Sequence, residues 1–306
     1  YKRLSYAATR SISLININYL MGVIETETLL QRMGELELNR DKKDDVWAKM
    51  YVGKLSNFKS SLGISKTNYY GLQAGIDRRY QDGYYNGDYY FGFLTGYTRA
   101  EIDYNVGDGN VDSYHAGVYG SYKDPNGFYI DSVVKYTHMK NSFNTLTSNN
   151  HLVKGTADSN GFGVSLELGK RYKFTDSNFY VEPQAQISYT HQSAMNVESS
   201  SGLTTRVYNY DSIITRGRVI FGYKNTEDTN IYFKTGYAKE LNGKTAYRFN
   251  DEDYLYKLRV NGWWIDNAIG ITKSFNNNHH LYLEATYQYG DDFNNIKLNG
   301  GYRYGF

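Results

Sequence analysis

A strict two-residue alternation of apolar and polar side chains limits what this sequence can fold into more than any other feature. It is cleanest over 179–190, where Phe179, Val181, Pro183, Ala185, Ile187 and Tyr189 interleave with Tyr180, Glu182, Gln184, Gln186, Ser188 and Thr190. It recurs over 46–53, 70–79, 281–289 and 296–306. A period of two sends successive side chains to opposite faces of an extended strand, giving one apolar and one polar face. Turn signals rich in Asn, Asp and Gly fall at 82–83, 107–109, 123–127, 176–178, 225–228 and 276–278. They divide the alternating part into twelve strands: 46–53, 68–80, 88–101, 110–123, 126–141, 156–173, 178–191, 210–225, 229–240, 257–275, 279–289 and 294–306. Nearly all connections are of hairpin length, so the topology is up-and-down.

One stretch breaks the pattern. Over 11–40 apolar residues recur three or four apart, at Ile12, Ile15, Tyr19, Val23 and Leu30, with a second stripe at Leu14, Ile17, Met21 and Ile24. A helix apolar on two sides needs surroundings on most sides. Asn16, Asn18, Glu25 and Glu27 make it a poor membrane helix, because polar groups facing lipid are costly. It reads as a helix inside something rather than across something. The helical pattern is clearest over 22–38. Ile15 to Tyr19 alternates strictly and is rich in β-branched residues, so the half before Met21 reads as extended chain as well. Gly34 reads either as a helix stop or as a position inside the helix, with Glu35-Leu36-Glu37-Leu38 continuing as a last turn.

Composition decides what encloses that helix. Mean hydropathy is −0.65, which suggests a soluble chain until the barrel case is considered. In a transmembrane barrel only alternate residues face lipid, and the lumen is polar. The chain holds 34 tyrosines, a residue suited to strands and to membrane–water boundaries, and only 2 prolines. Tyr, Phe and Trp gather near strand ends, at Tyr84, Tyr85, Tyr89, Tyr90, Phe128, Tyr129, Phe179, Tyr180, Trp263 and Trp264, as an interfacial girdle does. Connections alternate in length. Those after even-numbered strands are short, while 142–155, 192–209 and 241–256 are long, the asymmetry of short periplasmic turns and long outer loops. An even strand number then starts the first strand and ends the last on the periplasmic side. The helix enters from outside and reaches the first strand through 39–45.

On this reading Asp77, Arg79, Glu167, Arg171, Glu182, Arg216, Arg218, Glu284 and Arg303 share the inward face. Charges facing lipid at the midplane cost about 2–4 kcal/mol each. Inside, these residues are expected to form a charge network that grips the helix through such residues as Glu25, Glu27, Thr28 and Arg32. The bland reading is that they only pair with one another across strands. The last eight residues carry a sharper signal, with Asn299, Gly301, Tyr304 and Phe306 on a final strand that ends on an aromatic. This resembles the C-terminal signal by which the insertion machinery recognises bacterial outer-membrane barrels, read by strand addition with pockets for alternate side chains.

In order and spacing the motifs resemble the translocator domain of the type Va autotransporters, over essentially the whole chain. Leu30-Gln31-Arg32-Met33-Gly34-Glu35-Leu36 is similar to the family's helix-end R-M-G-[DE]-L, and Val46-Trp47-Ala48-Lys49 to its first strand. Gly75-Ile76-Asp77-Arg78, Val181-Glu182-Pro183-Gln184-Ala185-Gln186 and Thr215-Arg216-Gly217-Arg218 follow, and the terminal aromatic strand closes the match. The resemblance implies a twelve-stranded antiparallel transmembrane β-barrel threaded by an N-terminal α-helix. Residues 1–45 are then a passenger linker with the lumen helix, and 46–306 the barrel. It implies a passenger domain upstream of Tyr1, and as partners the lipid bilayer with its lipopolysaccharide and the insertion machinery. The N-terminus lies toward the cell exterior and the C-terminus in the periplasm. Some family members release the passenger by cleavage at an Asn-Asn pair shortly before R-M-G. Glu27 and Thr28 stand there in this chain, so no Asn-cyclisation cleavage is expected within 11–40.

Other chemistry finds little support. The net charge of +2 points to no nucleic-acid partner, and without cysteine there is no disulfide framework and no thiolate metal site. There is no calcium-loop spacing, no G-x-S-x-G element and no phosphate loop, and no cofactor is expected. His115, His138, His151, His191, His279 and His280 are scattered over strands and loops, and only His138 and His191 fall near the outer rim with acids at hand. The alternatives are therefore a plugged outer-membrane pore, an outer-rim hydrolase using His138 or His191, and a soluble binding barrel. No secretory signal stands at Tyr1, which fits either a chain that is not exported or the C-terminal piece of a precursor. A monomer is expected.

Overall fold

A computed structural model describes residues 4–33, 43–56, 65–81, 86–226, 228–250, 252–260, 262–276, 278–291 and 294–306. The turn at 82–83, the connection over 39–42 and the helix end with Gly34 lie outside them, as do the side chains of Thr28 and Arg32.

Among the described residues the chain begins with one helix, α1 (Tyr6–Met33), 28 residues long, which spans about 42 Å. Ser5 caps it: its hydroxyl accepts from the Ala8 N–H at 3.2 Å, and its carbonyl accepts from the Thr9 N–H. The half before Met21 is helical rather than extended. An extended segment inside a barrel has no strand beside it to take its N–H and C=O groups, whereas a helix satisfies them alone.

Twelve long strands follow: β1 (Asp44–Ser56), β2 (Ser65–Gln81), β3 (Asp88–Tyr104), β4 (Asp108–Lys123), β5 (Phe128–Leu146), β6 (Leu152–Lys170), β7 (Phe179–Gln192), β8 (Tyr210–Thr226), β9 (Thr229–Glu240), β10 (Trp263–Phe275), β11 (His279–Gly290) and β12 (Asn294–Gly305). Each pairs antiparallel with the next, and β12 returns to β1 from Asp45 opposite Gly305 to Ser56 opposite Asn294. The ring is closed and has no free edge.

The three long connections expected as loops fold instead as β structure. β5 and β6 run on as one hairpin through 142–155. Short strands Met195–Ser199 and Thr204–Val207 fill the second, and Lys244–Phe249 pairs with Tyr256–Arg259 across the third. The single strand expected over 257–275 is therefore two, broken before Trp263. Backbone at a barrel mouth that is not paired must be hydrated, and neighbouring strands offer ready partners, so the ladders continue upward. At the β3–β4 turn Gly107 has φ +100°, and a Cβ there would sit 2.0 Å from the Asn144 carbonyl oxygen.

The two faces of the wall are inverted relative to a soluble protein. Met50 and Phe93 are each 69 % exposed on the outside, in company with Ile76, Phe91, Phe233, Ile269 and Ile296. Lys49, Gln73, Glu284, Lys297 and Asn299 are buried inside. An apolar exterior around a polar interior needs lipid, not water, as its surroundings.

Inward aromatic rings lie flat across the neighbouring strand, each over the glycine directly opposite. Tyr51 covers Gly71, Tyr129 covers Gly169 and Tyr180 covers Gly222. A Cβ at Gly222 would stand 2.0 Å from Cζ of Tyr180. That ring carries the Arg171 guanidinium at 4.1 Å, and its hydroxyl donates to Asn230 at 3.0 Å. Gly222→Ala will therefore destabilise the barrel by about 1–3 kcal/mol. The check is the temperature at which the folded band unfolds on a heat-modifiable gel. Gly217→Ala, where an added Cβ meets nothing within 4 Å, serves as the neutral control.

Candidate functional site

The functional candidate is the contact between α1 and the lumen. It divides along the helix into an apolar and a charged half. Ile12, Leu14, Ile15 and Ile17 are fully buried in a collar of inward apolar residues that includes Ile102, Val111, Phe143, Val197 and Val207. The Tyr19 ring meets Tyr210 edge-on at 5.7 Å. This collar accounts for the two-sided apolar pattern of the sequence. Buried polar side chains alternate with the apolar ones here: Ser11 donates to the Ala7 carbonyl at 2.9 Å, Ser13 shares a hydrogen bond with the Tyr104 hydroxyl at 2.8 Å, and Arg10 donates to the Val106 carbonyl at 3.2 Å.

Below the collar, Glu25 and Glu27 clamp the helix to opposite walls. Residues two apart on a helix diverge by about 200°. Glu25 meets the wall made by β2 to β5. Its carboxylate accepts from Thr98 Oγ1 at 2.8 Å and lies 3.3 Å from Lys135 Nζ and 3.4 Å from His115 Nδ1. Gln73 donates to the Glu25 carbonyl at 3.2 Å, and Lys135 also reaches the Gly22 carbonyl at 3.4 Å. Glu27 meets β8 and β11. It pairs with Arg216 and accepts from Gln288 Nε2 at 2.8 Å. Arg216 Nε lies 3.0 Å from Asp266 on β10, which also accepts from Gln288 at 2.6 Å. Asn295 and Tyr69 extend this network toward β12 and β2.

The nine charges singled out from sequence point inward, and the structure gives them different partners. Arg216 reaches the helix. Arg218 pairs with Glu167, Arg171 with Glu182 at 2.6 Å, and Lys234 with Glu284 at 3.1 Å. Arg303 joins Asp45 to Asp77, and Arg79 pairs with Asp88 at 2.8 Å near the short-turn rim. Sequence reasoning missed Gln73, Thr98, His115, Lys135 and Gln288 as helix contacts. A lysine in mid-strand on the inward face was the one available signal, at Lys135. Asn299 and Gly301 face the lumen, where the Tyr282 ring covers Gly301. Tyr304 and Phe306 face outward, their rings 6.1 Å apart, with His279 5.0 Å from Tyr304.

The helix leans on β3 to β6. Toward β7 and β8 it leaves a narrow crevice of about 20 Å³, bordered by Gly22, Thr26, Ser188, Thr190 and Ser212. Arg216→Gln with Arg218→Gln is expected to raise pore opening severalfold in planar bilayers, because Glu27 and Asp266 then face each other without their shared cation. Unchanged conductance would count against a clamp at Glu27.

His138 and His191 lie on the outer surface of the wall. His138 Nδ1 is 2.8 Å from Asn160, and His191 Nδ1 is 2.8 Å from Asp211, which also accepts from Tyr189. Among the described residues no group of three or more His, Asp or Glu is placed to hold a metal ion. No described helix is long and apolar enough to cross a membrane.

Comparison with known proteins bears on this architecture. The family profile "Autotransporter beta-domain" matches residues 46–303. The probable autotransporter YcgV of Escherichia coli is 39 % identical over 298 residues, 95 % of this chain and 31 % of that protein. The pertactin autotransporter of Bordetella parapertussis is 26 % identical, over 99 % of this chain and 33 % of its own length. The chain thus spans about a third of the length of these relatives. The crystal structure of the β domain of the Bordetella autotransporter BrkA superimposes with a TM-score of 0.73 at 24 % identity, over 86 % of this chain and all of that one.

Proposed function

The chain belongs to the autotransporter beta-domain family, and from that premise we propose how its barrel, helix and ends divide the work. It is an outer-membrane β-barrel and a translocator of type V secretion, a transport unit rather than an enzyme. Residues 1–45 serve as linker and lumen helix, and 46–306 as the anchor and exit route for a passenger domain upstream of Tyr1. The hairpin rim faces the cell exterior, and the short-turn rim with Phe306 faces the periplasm. Tyr304 and Phe306, outward on the last strand, are read by the insertion machinery, while Asn299 and Gly301 keep that strand's lumen side narrow. The barrel acts as a monomer in a bilayer carrying lipopolysaccharide.

One observation carries this reading: α1 is clamped through Glu25 and Glu27 to opposite walls, while its N-terminal end stands among the hairpins. A helix held so, with its upper end at the mouth, suits a segment left behind after transport. The absence of cysteine allows single-cysteine labelling to test it. Ser201→Cys should react with an impermeant maleimide on intact cells, and Asn126→Cys only after the envelope is permeabilised. The reverse pattern overturns the orientation. An epitope placed before Tyr1 should reach the surface; if it stays periplasmic, the chain is a plugged pore.

A further inference from the structure

At the hairpin rim the wall continues as a four-stranded antiparallel sheet of Met195–Ser199, Thr204–Val207, Lys244–Phe249 and Tyr256–Arg259. Its inner face, with Val197, Val207, Tyr247 and Phe249, is buried against the helix cluster. Its outer face alternates with these positions and carries Arg206, Lys244, Arg248, Lys257 and Arg259, while Lys239 is exposed where β9 ends beneath it.

Among the described residues no ion pair joins these cations to a carboxylate. Arg206 stands directly opposite Arg248, and Lys244 directly opposite Arg259. Like charges facing each other on neighbouring strands repel, so such a sheet gains when an anion sits between them. Arg248 Nε is buried with no hydrogen-bond partner. Of the nearby carboxylates, Asp211 stands directly opposite Lys244 but is engaged by His191 and Tyr189. Glu198 lies opposite Thr204, beyond the arginine pair, and Glu252 and Asp253 stand in the turn at the tip.

Position says which anion. Tyr237 and Trp263 stack on the outer face with centroids 6.0 Å apart, and Trp263 lies opposite Lys239. Paired aromatics facing outward mark the lipid–water boundary. At about 3.3 Å per residue, the cations occupy roughly the next 15 Å above that boundary. Phosphates of the outer-leaflet glycolipid lie at this level.

We propose that this outer face is a binding site for the phosphate groups of lipopolysaccharide. Arg206 and Arg248 fork onto one phosphate, and Lys244 and Arg259, with Lys239 below them, take a second. The site rests on the orientation proposed above, which the cysteine labelling tests independently. The test itself is made on the purified, folded barrel in detergent and does not depend on orientation. Lipopolysaccharide is titrated against wild type and against the variant R206Q/R248Q/K244Q/R259Q, with folding verified by heat-modifiable mobility. Binding by the variant should be weaker by about tenfold or more, the scale of losing one or two charged hydrogen bonds. As a second arm that needs no variant, wild type should bind enzymatically dephosphorylated lipopolysaccharide as weakly as the variant binds the native form. Equal binding of native and dephosphorylated lipid overturns the proposal. So does unchanged lipid binding by the variant, and passenger display lost by that variant in cells would then give the patch to an acidic protein segment.

Discussion

Replacing Glu25 with alanine will loosen α1 in the barrel and convert a closed pore into one that opens often. Glu25 is fully buried, and Lys135 and His115 face its carboxylate across 3.3 and 3.4 Å. Removing one partner of a buried pair leaves the other charge without compensation, at a cost of about 3–5 kcal/mol. The helix is held to the wall by side chains whereas the wall is held by continuous backbone ladders, so the helix yields before the wall does. The two donations to backbone, from Gln73 to Glu25 and from Lys135 to Gly22, survive and keep the helix within the lumen. Single-channel recording should show open probability rising by an order of magnitude, with the unfolding temperature of the barrel little changed. The double variant E25Q/K135Q removes both charges and should recover part of the closed state. Traces of E25A that match wild type would place the seal elsewhere, in the apolar collar.

Arg303→Gln should weaken the barrel itself. Arg303 on the last strand pairs with Asp45 on the first and with Asp77 on the second, the latter at 2.7 Å. Asp45 and Asp77 lie directly opposite each other. Without the guanidinium, two buried carboxylates confront one another at the point where the ring closes, a loss of about 3–5 kcal/mol. Asp77 also accepts from the Tyr119 hydroxyl, which in turn accepts from Trp47 Nε1 at 2.9 Å, so the disturbance spreads to β4. The folded band should disappear at a distinctly lower temperature. Replacing both aspartates by asparagine in the same chain should restore much of the loss. If R303Q melts with wild type, the backbone ladder alone holds the seam.

The strand faces were legible because a period of two has only two phases and lipid penalises the wrong one. At Phe179–Gln192 the interleaved residues fall on the two faces as the alternation requires. The upper helix was harder, because Ile15 to Tyr19 fits both periods and only its enclosure by the wall decides. The loops at 142–155 and 241–256 read as irregular because Ser, Thr and Asn tolerate either hydration or a ladder, and the choice depends on which neighbour lies alongside. Beyond a mid-strand lysine at Lys135, the wall side of the Glu25 clamp had no local signature. Thr98, His115 and Lys135 are ordinary inward polar residues on three strands, and only the height of the helix in the lumen makes them neighbours. Arg206 and Arg248 are 42 positions apart, and their opposition appears only once the two hairpins are in register.

The pairing of β1 with β12 imposes an order on assembly. β12 is the last barrel strand in sequence, so the hydrogen bonds from Asp45 to Ser56 join strands far apart in the chain, whereas every other pair in the ring joins sequence neighbours. Once they form there is no side entrance, and the hairpin sheet narrows the mouth above the collar. The helix must therefore lie within the curl of the unfinished sheet before the seam zips, or pass lengthwise through that mouth. Closure is a commitment in time: a chain that zips early traps an empty pore, and one that zips late holds an open sheet edge in the membrane. The rate of seam formation relative to helix docking thus decides which fraction of barrels is plugged.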